Sequence, residues 1–163
     1  MTAKSPLYLL DENISYKFAI PFKALGYDMT SVEEVWPNQH LLALGKKSVE
    51  DPEIIEWLGK QQTDFGFNGV WITDDWDASK LHAKLILANS ICVFWVCDPL
   101  NHSLRAIQQL QVITMLIEYI DDIFQKATSP KYLMGTIDGR KTRLWALKCH
   151  LMSRRLEWGK VII

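Results

Sequence analysis

The chain predicts an α/β fold built on a central, mostly parallel sheet, with a long helix and a β-hairpin added at its C-terminal end. Three observations carry this. Short apolar runs at 7–10, 69–73 and 91–97 alternate with amphipathic stretches, the order of a parallel sheet covered by helices. Leu104, Ile107, Leu110, Ile113 and Ile117 recur at helical spacing and predict one long helix over 103–126. Two strand-like runs, 132–137 and 141–148, flank Asp138-Gly139, a dipeptide that favours a tight hairpin turn.

Taken in order, 7–10 is too short for a helix and wholly apolar, so it reads as a buried strand ending at Asp11. Asn13 or Ser15 caps a helix reaching about Leu25; Gly26 is its stop, and Pro21 within it predicts a kink or a late start. A second strand covers 27–32. The stretch 33–47, with Pro37, Asn38 and Gly45, has no sustained period and reads as a long loop or a short irregular helix. Ser48, or Asp51 with Pro52 at the first helical position, opens the next helix, with Ile54, Ile55, Trp57 and Leu58 on one side. The strand 69–73 ends in an acidic cluster, a helix spans 78–89, and 91–97 is a buried strand. Residues 151–163 add Arg154, Arg155, Trp158 and an apolar terminus.

With 163 residues, 48% of them hydrophobic, the chain suits a single domain, 1–163, with a core over about 7–126 and an extension over about 131–163. The N-terminus lacks a signal-peptide pattern, and the longest apolar run is far shorter than the roughly 20 residues a bilayer requires. A cytoplasmic, membrane-free protein is the expectation. Cys92 and Cys97, five apart on one strand, point to opposite faces and read as packing residues, as does Cys149. The histidines, at 40, 82, 102 and 150, lack metal-ligand spacing, which argues against structural zinc. Charge is uneven: residues 1–124 carry 9 Lys and Arg against 17 Asp and Glu, while 125–163 carry 9 against 2. A basic tail of this kind brings a polyanion toward an acidic body, or pairs with that body.

The acids themselves follow apolar or helical segments: Asp11, then Asp51 and Glu53, then Asp74, Asp75 and Asp77. Carboxylates delivered from the ends of different strands and helices suit a hard divalent cation, which prefers oxygen ligands and keeps several waters. The same residue types also cap helix N-termini, so capping stands beside metal binding for each of them. Three aspartates within four residues exceed the needs of one helix start, and their repulsion is relieved by a cation.

Three motifs in order, LYLLDEN at 7–13, VEDPEIIEWLG at 49–59 and WITDDWD at 71–77, resemble those of the PIN-like nucleases. The likeness is strongest to the VapC-type toxins of bacterial toxin-antitoxin pairs, and the long helix and Asp138-Gly139 hairpin resemble the C-terminal extension of one branch. The resemblance covers nearly the whole chain. It implies a PIN-like three-layer fold and a Mg²⁺- or Mn²⁺-dependent endoribonuclease, with RNA as substrate and a cognate antitoxin as partner. Asp11 matches the first family aspartate, Asp51 the acidic position before the helix, with Glu53 as a second candidate, and Asp75 and Asp77 the final pair. Asp74 then falls to a supporting or capping role. The family's aromatic after the last aspartate is here Ala78, with Trp76 between the acids instead.

Phosphodiester chemistry at such a site also needs cations for the substrate phosphate; Lys80, Lys84, Arg140, Lys141 and Arg143 are the candidates. Two other readings stand beside this one. An interaction module would use the acids as caps and the basic tail for docking. An aspartate-nucleophile phosphohydrolase would want an acid two residues after Asp11, where the chain has Asn13. The 7 tryptophans and apolar C-terminus suggest surface that a homodimer or complex would cover.

Overall fold

Alternating side-chain direction is what lets the short apolar runs serve two cores at once. A computed structural model describes residues 5–97, 103–126, 132–138, 141–150 and 155–161. Strand β1 (Pro6–Leu10) sends Tyr8 and Leu10 to one face and Leu7 and Leu9 to the other. A 3-10 turn, Tyr16–Phe18, leads into α1 (Ala19–Ala24), so the helix begins later than Asn13 or Ser15 and carries Pro21 in its first turn, where a missing N–H costs nothing. Gly26, at φ 88°, closes it.

The second strand, β2 (Met29–Ser31), is shorter than 27–32 because the Ser31 side chain accepts the Glu34 N–H and starts a helix at Val32. The stretch 33–47 holds helical turns, α2 (Val32–Val35) and α3 (Asn38–Ala43). Helix α4 (Asp51–Phe65) is capped by Glu50, and β3 (Asn68–Thr73) follows. The predicted helix 78–89 divides into α5 (Trp76–Leu81) and α6 (Ala83–Ala88), with His82 off helical geometry at φ −107° and ψ 19°. Then come β4 (Cys92–Val96), α7 (Ala106–Lys126), β5 (Tyr132–Asp138), β6 (Lys141–His150) and β7 (Arg155–Val161).

The seven strands form one sheet in the order β2-β1-β3-β4-β5-β6-β7. From β2 to β5 the strands pair parallel; β5 with β6 and β6 with β7 pair antiparallel, with Asp138 of β5 opposite Lys141 of β6. Residues 139–140, the centre of the predicted turn, lie outside the described set. One sheet face packs Val112, Ile113, Leu116 and Ile120 of α7 and Phe22 of α1 over Tyr8, Ile72 and Phe94. The other packs Ile54, Ile55 and Leu58 of α4 and Ile86 of α6 over Leu9, Trp71 and Trp95. Cys92 and Cys97 divide between these faces. Burying each such side chain contributes about 1.5–3 kcal/mol, which holds the strand ends in place from both sides. α7 crosses close to the sheet at Gly135, where a Cβ would come within 2.0 Å of Val112 and 2.5 Å of Phe94. No described helix is long and apolar enough to cross a membrane.

Candidate metal centre

In this strand order β1 is followed in the sheet by β2 on one side and β3 on the other, so connections leave in opposite directions and open a crevice at the carboxyl ends of β1 and β3. Asp11 and Thr73 stand there. The ladder runs one residue past β1, with the Asp11 N–H donating to the Ile72 carbonyl at 2.9 Å, and this fixes the Asp11 backbone. Its side chain is buried, at 7% exposure. Thr73 Oγ1 donates to Asp11 Oδ2 at 2.6 Å, and the Glu12 N–H donates to Oδ1 at 2.9 Å. The same hydroxyl accepts the Asp75 N–H at 3.0 Å, so Thr73 couples the two strand exits.

Burial pushes the Asp11 carboxyl up to about 6; the bonds from Thr73 and Glu12 oppose this, and the charges of Asp51 and Glu12 add to it. Asp51 begins α4, partly buried, and is also raised, first by burial and further by Asp75 and Glu50, while His82 draws it down. Its Oδ2 lies 3.5 Å from His82 Nε2. Asp75 is the cap of α5: its Oδ1 accepts the N–H groups of Asp77 at 2.9 Å and Ala78 at 3.2 Å. Oδ2 of Asp75 has no partner among the described residues. Asp11, Asp51 and Asp75 thus form a chain of mutually felt charges drawn from β1, α4 and α5.

Two of the predicted ligands are elsewhere, each for a local reason. Glu53 is the third residue of α4 and reaches back to accept the Glu50 N–H at 3.0 Å, completing a capping box, while its other oxygen takes Lys46. Asp77 follows Trp76 at the start of α5, is 77% exposed and pairs with Lys80 at 3.1 Å. Asp74 does support the region: Ser103 Oγ donates to its Oδ2 at 3.2 Å, and its carbonyl accepts Trp95 Nε1 at 3.3 Å. Burial raises its carboxyl; hydrogen bonds from Ser103 and Asn13 resist that.

The candidate cations come from α5, α6 and β6. Lys80 Nζ sits 4.9 Å from the Trp76 ring, which stacks on Trp95 at 3.5 Å. Lys84 is exposed on α6. Because β6 runs back from the carboxyl end of β5, its first residues, including Lys141 opposite Asp138 and Arg143 opposite Thr136, return to the crevice edge. Arg140 lies outside the described residues. Thr73 and His82, which touch Asp11 and Asp51, lie outside the acidic pattern that marks this region in the sequence. His82 follows Asp75 by seven residues, two helical turns, a spacing that would have placed both on one side.

Among the described residues, no three His, Cys, Asp or Glu side chains stand together as a ready-made metal cage. A Mg²⁺-type site does not require one, since such ions keep several waters and use one or two carboxylates. The donor set here is oxygen, with lone pairs left on Asp11 and Asp75. Oxygen donors of this kind are the ones a hard cation takes.

No protein-family model, curated protein or solved structure matches the chain.

Proposed function

We propose that this protein is a divalent-metal-dependent endoribonuclease of the PIN-like kind, the toxin of a toxin-antitoxin pair. The observation that carries the proposal is Asp11: a buried carboxylate, orientated by Thr73, at the crevice between β1 and β3 and within the field of Asp51. Burying such a group without a cation is costly to the fold, and a ligand that favours the charged form offsets that cost. The preference for RNA, and for an antitoxin as partner, rests on the motifs LYLLDEN, VEDPEIIEWLG and WITDDWD.

When bound, Mg²⁺ or Mn²⁺ supplies neutralising charge at a phosphodiester and lowers the pKa of an attacking water. The chain's own part is positioning. Thr73 holds one Asp11 oxygen and the Glu12 N–H the other, so the carboxylate cannot rotate. Asp51 and Asp75 complete a negative crevice, while Lys80, Lys84, Lys141 and Arg143 offset the substrate's charge around it.

A second reading has one observation in its favour: Asp75 and Glu53 are both occupied as helix caps. On that reading the protein is a PIN-like interaction module without catalysis. Incubating mixed RNA with wild type and Asp75→Asn, in Mn²⁺ and in chelator, separates the two. Cleavage confined to wild type with Mn²⁺ is expected, together with growth arrest on expression without a partner. A folded wild type that cleaves none of many RNAs in Mn²⁺ favours the interaction module.

A further inference from the structure

A second cavity lies on the opposite face of the sheet and at its opposite edge, where β1 begins, the Gly26 turn enters β2, and α7 passes over. Its volume is about 140 Å³, and it is lined by Tyr8, Tyr27, Asp28, Ile117, Ile120 and Asp121 among others. The space is an open cleft, with Ser5, Gly26, Tyr27, Asp28 and Asp121 exposed along it, and it has room for a small molecule.

Its chemistry is one-sided. Among the described residues, Asp28 and Asp121 make no ion pair and no Lys or Arg lines the space. Tyr8 is the independent indication of a ligand. The side chain is only 1% exposed, it belongs to an otherwise apolar cluster, and its hydroxyl has no hydrogen-bond partner among the described residues. A buried phenol ordinarily finds one. Tyr8 itself lines the cavity, and burial, then the charges of Asp121, Tyr27 and Cys92, hold the phenol in its protonated form.

We propose that this cavity binds a small primary alkylammonium, its nitrogen between Asp28, Asp121 and the Tyr8 hydroxyl and its alkyl stem against Ile117 and Ile120. An ammonium offers three N–H donors to three acceptors of this kind, two of them anionic. A bare divalent cation fits less well, because it asks for six or more oxygens and two walls here are isoleucine. The assignment is independent of the nuclease reading, since the cavity shares no residue with the Asp11 crevice.

The test uses the whole chain with labelled isoleucine methyls, titrated with n-butylammonium and, separately, with n-butanol as the uncharged counterpart. Saturable shifts at Ile117 and Ile120 are expected with the amine and not with the alcohol. Tyr8→Phe should weaken amine binding about tenfold or more, the worth of one hydrogen bond from a charged donor, and Asp121→Asn should weaken it further and reduce its salt dependence. Tyr8→Phe should leave the amine-free melting temperature unchanged or higher, because it deletes a hydroxyl that has no partner. Shifts that do not saturate, equal binding of butanol, or unchanged affinity in both variants would overturn the proposal. So would a lower amine-free melting temperature in Tyr8→Phe, which would mean the hydroxyl already bonds within the protein.

Discussion

Asp11 concentrates the conflict between stability and chemistry in one side chain. Its carboxyl ordinarily ionises near 3.8 and here does so near about 6, with burial as the main cause. A carboxyl with a raised folded value holds its proton more tightly in the folded state. Stability is therefore greatest below the unfolded value, falls as pH rises toward 6, and stays reduced above it. The interval corresponds to about 3 kcal/mol. Asp11→Asn removes this titration while its amide nitrogen still reaches Thr73 Oγ1, so its stability relative to wild type should grow by about 2 kcal/mol between pH 4 and pH 7. Urea unfolding in chelator at the two pH values measures it, and parallel pH curves for the two proteins would contradict the burial argument. Added Mn²⁺ at pH 7 should raise the wild-type melting temperature and leave Asp11→Asn unmoved, because only the charged form gains from the cation. At this scale the sequence made Asp11 legible through the apolar run that ends on it. Thr73 was not, since a threonine closing a strand carries no mark of the carboxylate 62 residues away that it will hold.

At the scale of elements, helix starts decide which acids are free. Glu50, Asp51 and Glu53 lie within four positions, yet the capping box uses Glu50 and Glu53 and leaves Asp51 to face His82 and the crevice. The local sequence contains both possibilities and does not choose between them. Glu53→Ala should accordingly lower the melting temperature while leaving Mn²⁺-dependent cleavage and Mn²⁺-induced stabilisation at wild-type levels. Loss of either metal effect would return Glu53 to the site. The division of 78–89 into α5 and α6 was illegible for a related reason. No Gly or Pro interrupts that stretch, and the break at His82 coincides with its approach to Asp51, a contact made between elements.

For the whole molecule, alternation of strands and helices made the parallel sheet legible, whereas the order of its strands was not, because crossing direction is set by packing on two faces. That order has the larger consequence, since it puts the switch of connections at β1 and β3 and carries the antiparallel strands to the far side of β5. β6 is three strands from β3, roughly 14 Å at the usual spacing. Its first residues return to the same edge as Asp11 and Thr73. An acidic crevice with basic residues displaced along one edge suits a single strand that lies across the edge, with one phosphodiester at the carboxylates and later phosphates near Lys141 and Arg143. Those residues would then bind without taking part in bond cleavage. Lys141→Ala combined with Arg143→Ala should weaken RNA association at low salt and lower the slope of log affinity against log salt by about 1.4, near 0.7 for each phosphate contact on a single strand. At saturating RNA the cleavage rate should remain that of wild type. Fluorescence anisotropy over a salt series on Asp75→Asn, expected to bind without cutting, isolates the association step from turnover. An unchanged slope would remove β6 from the RNA path and leave Lys80 and Lys84 as the phosphate contacts; a lost cleavage rate at saturation would instead bring Lys141 or Arg143 into the chemistry.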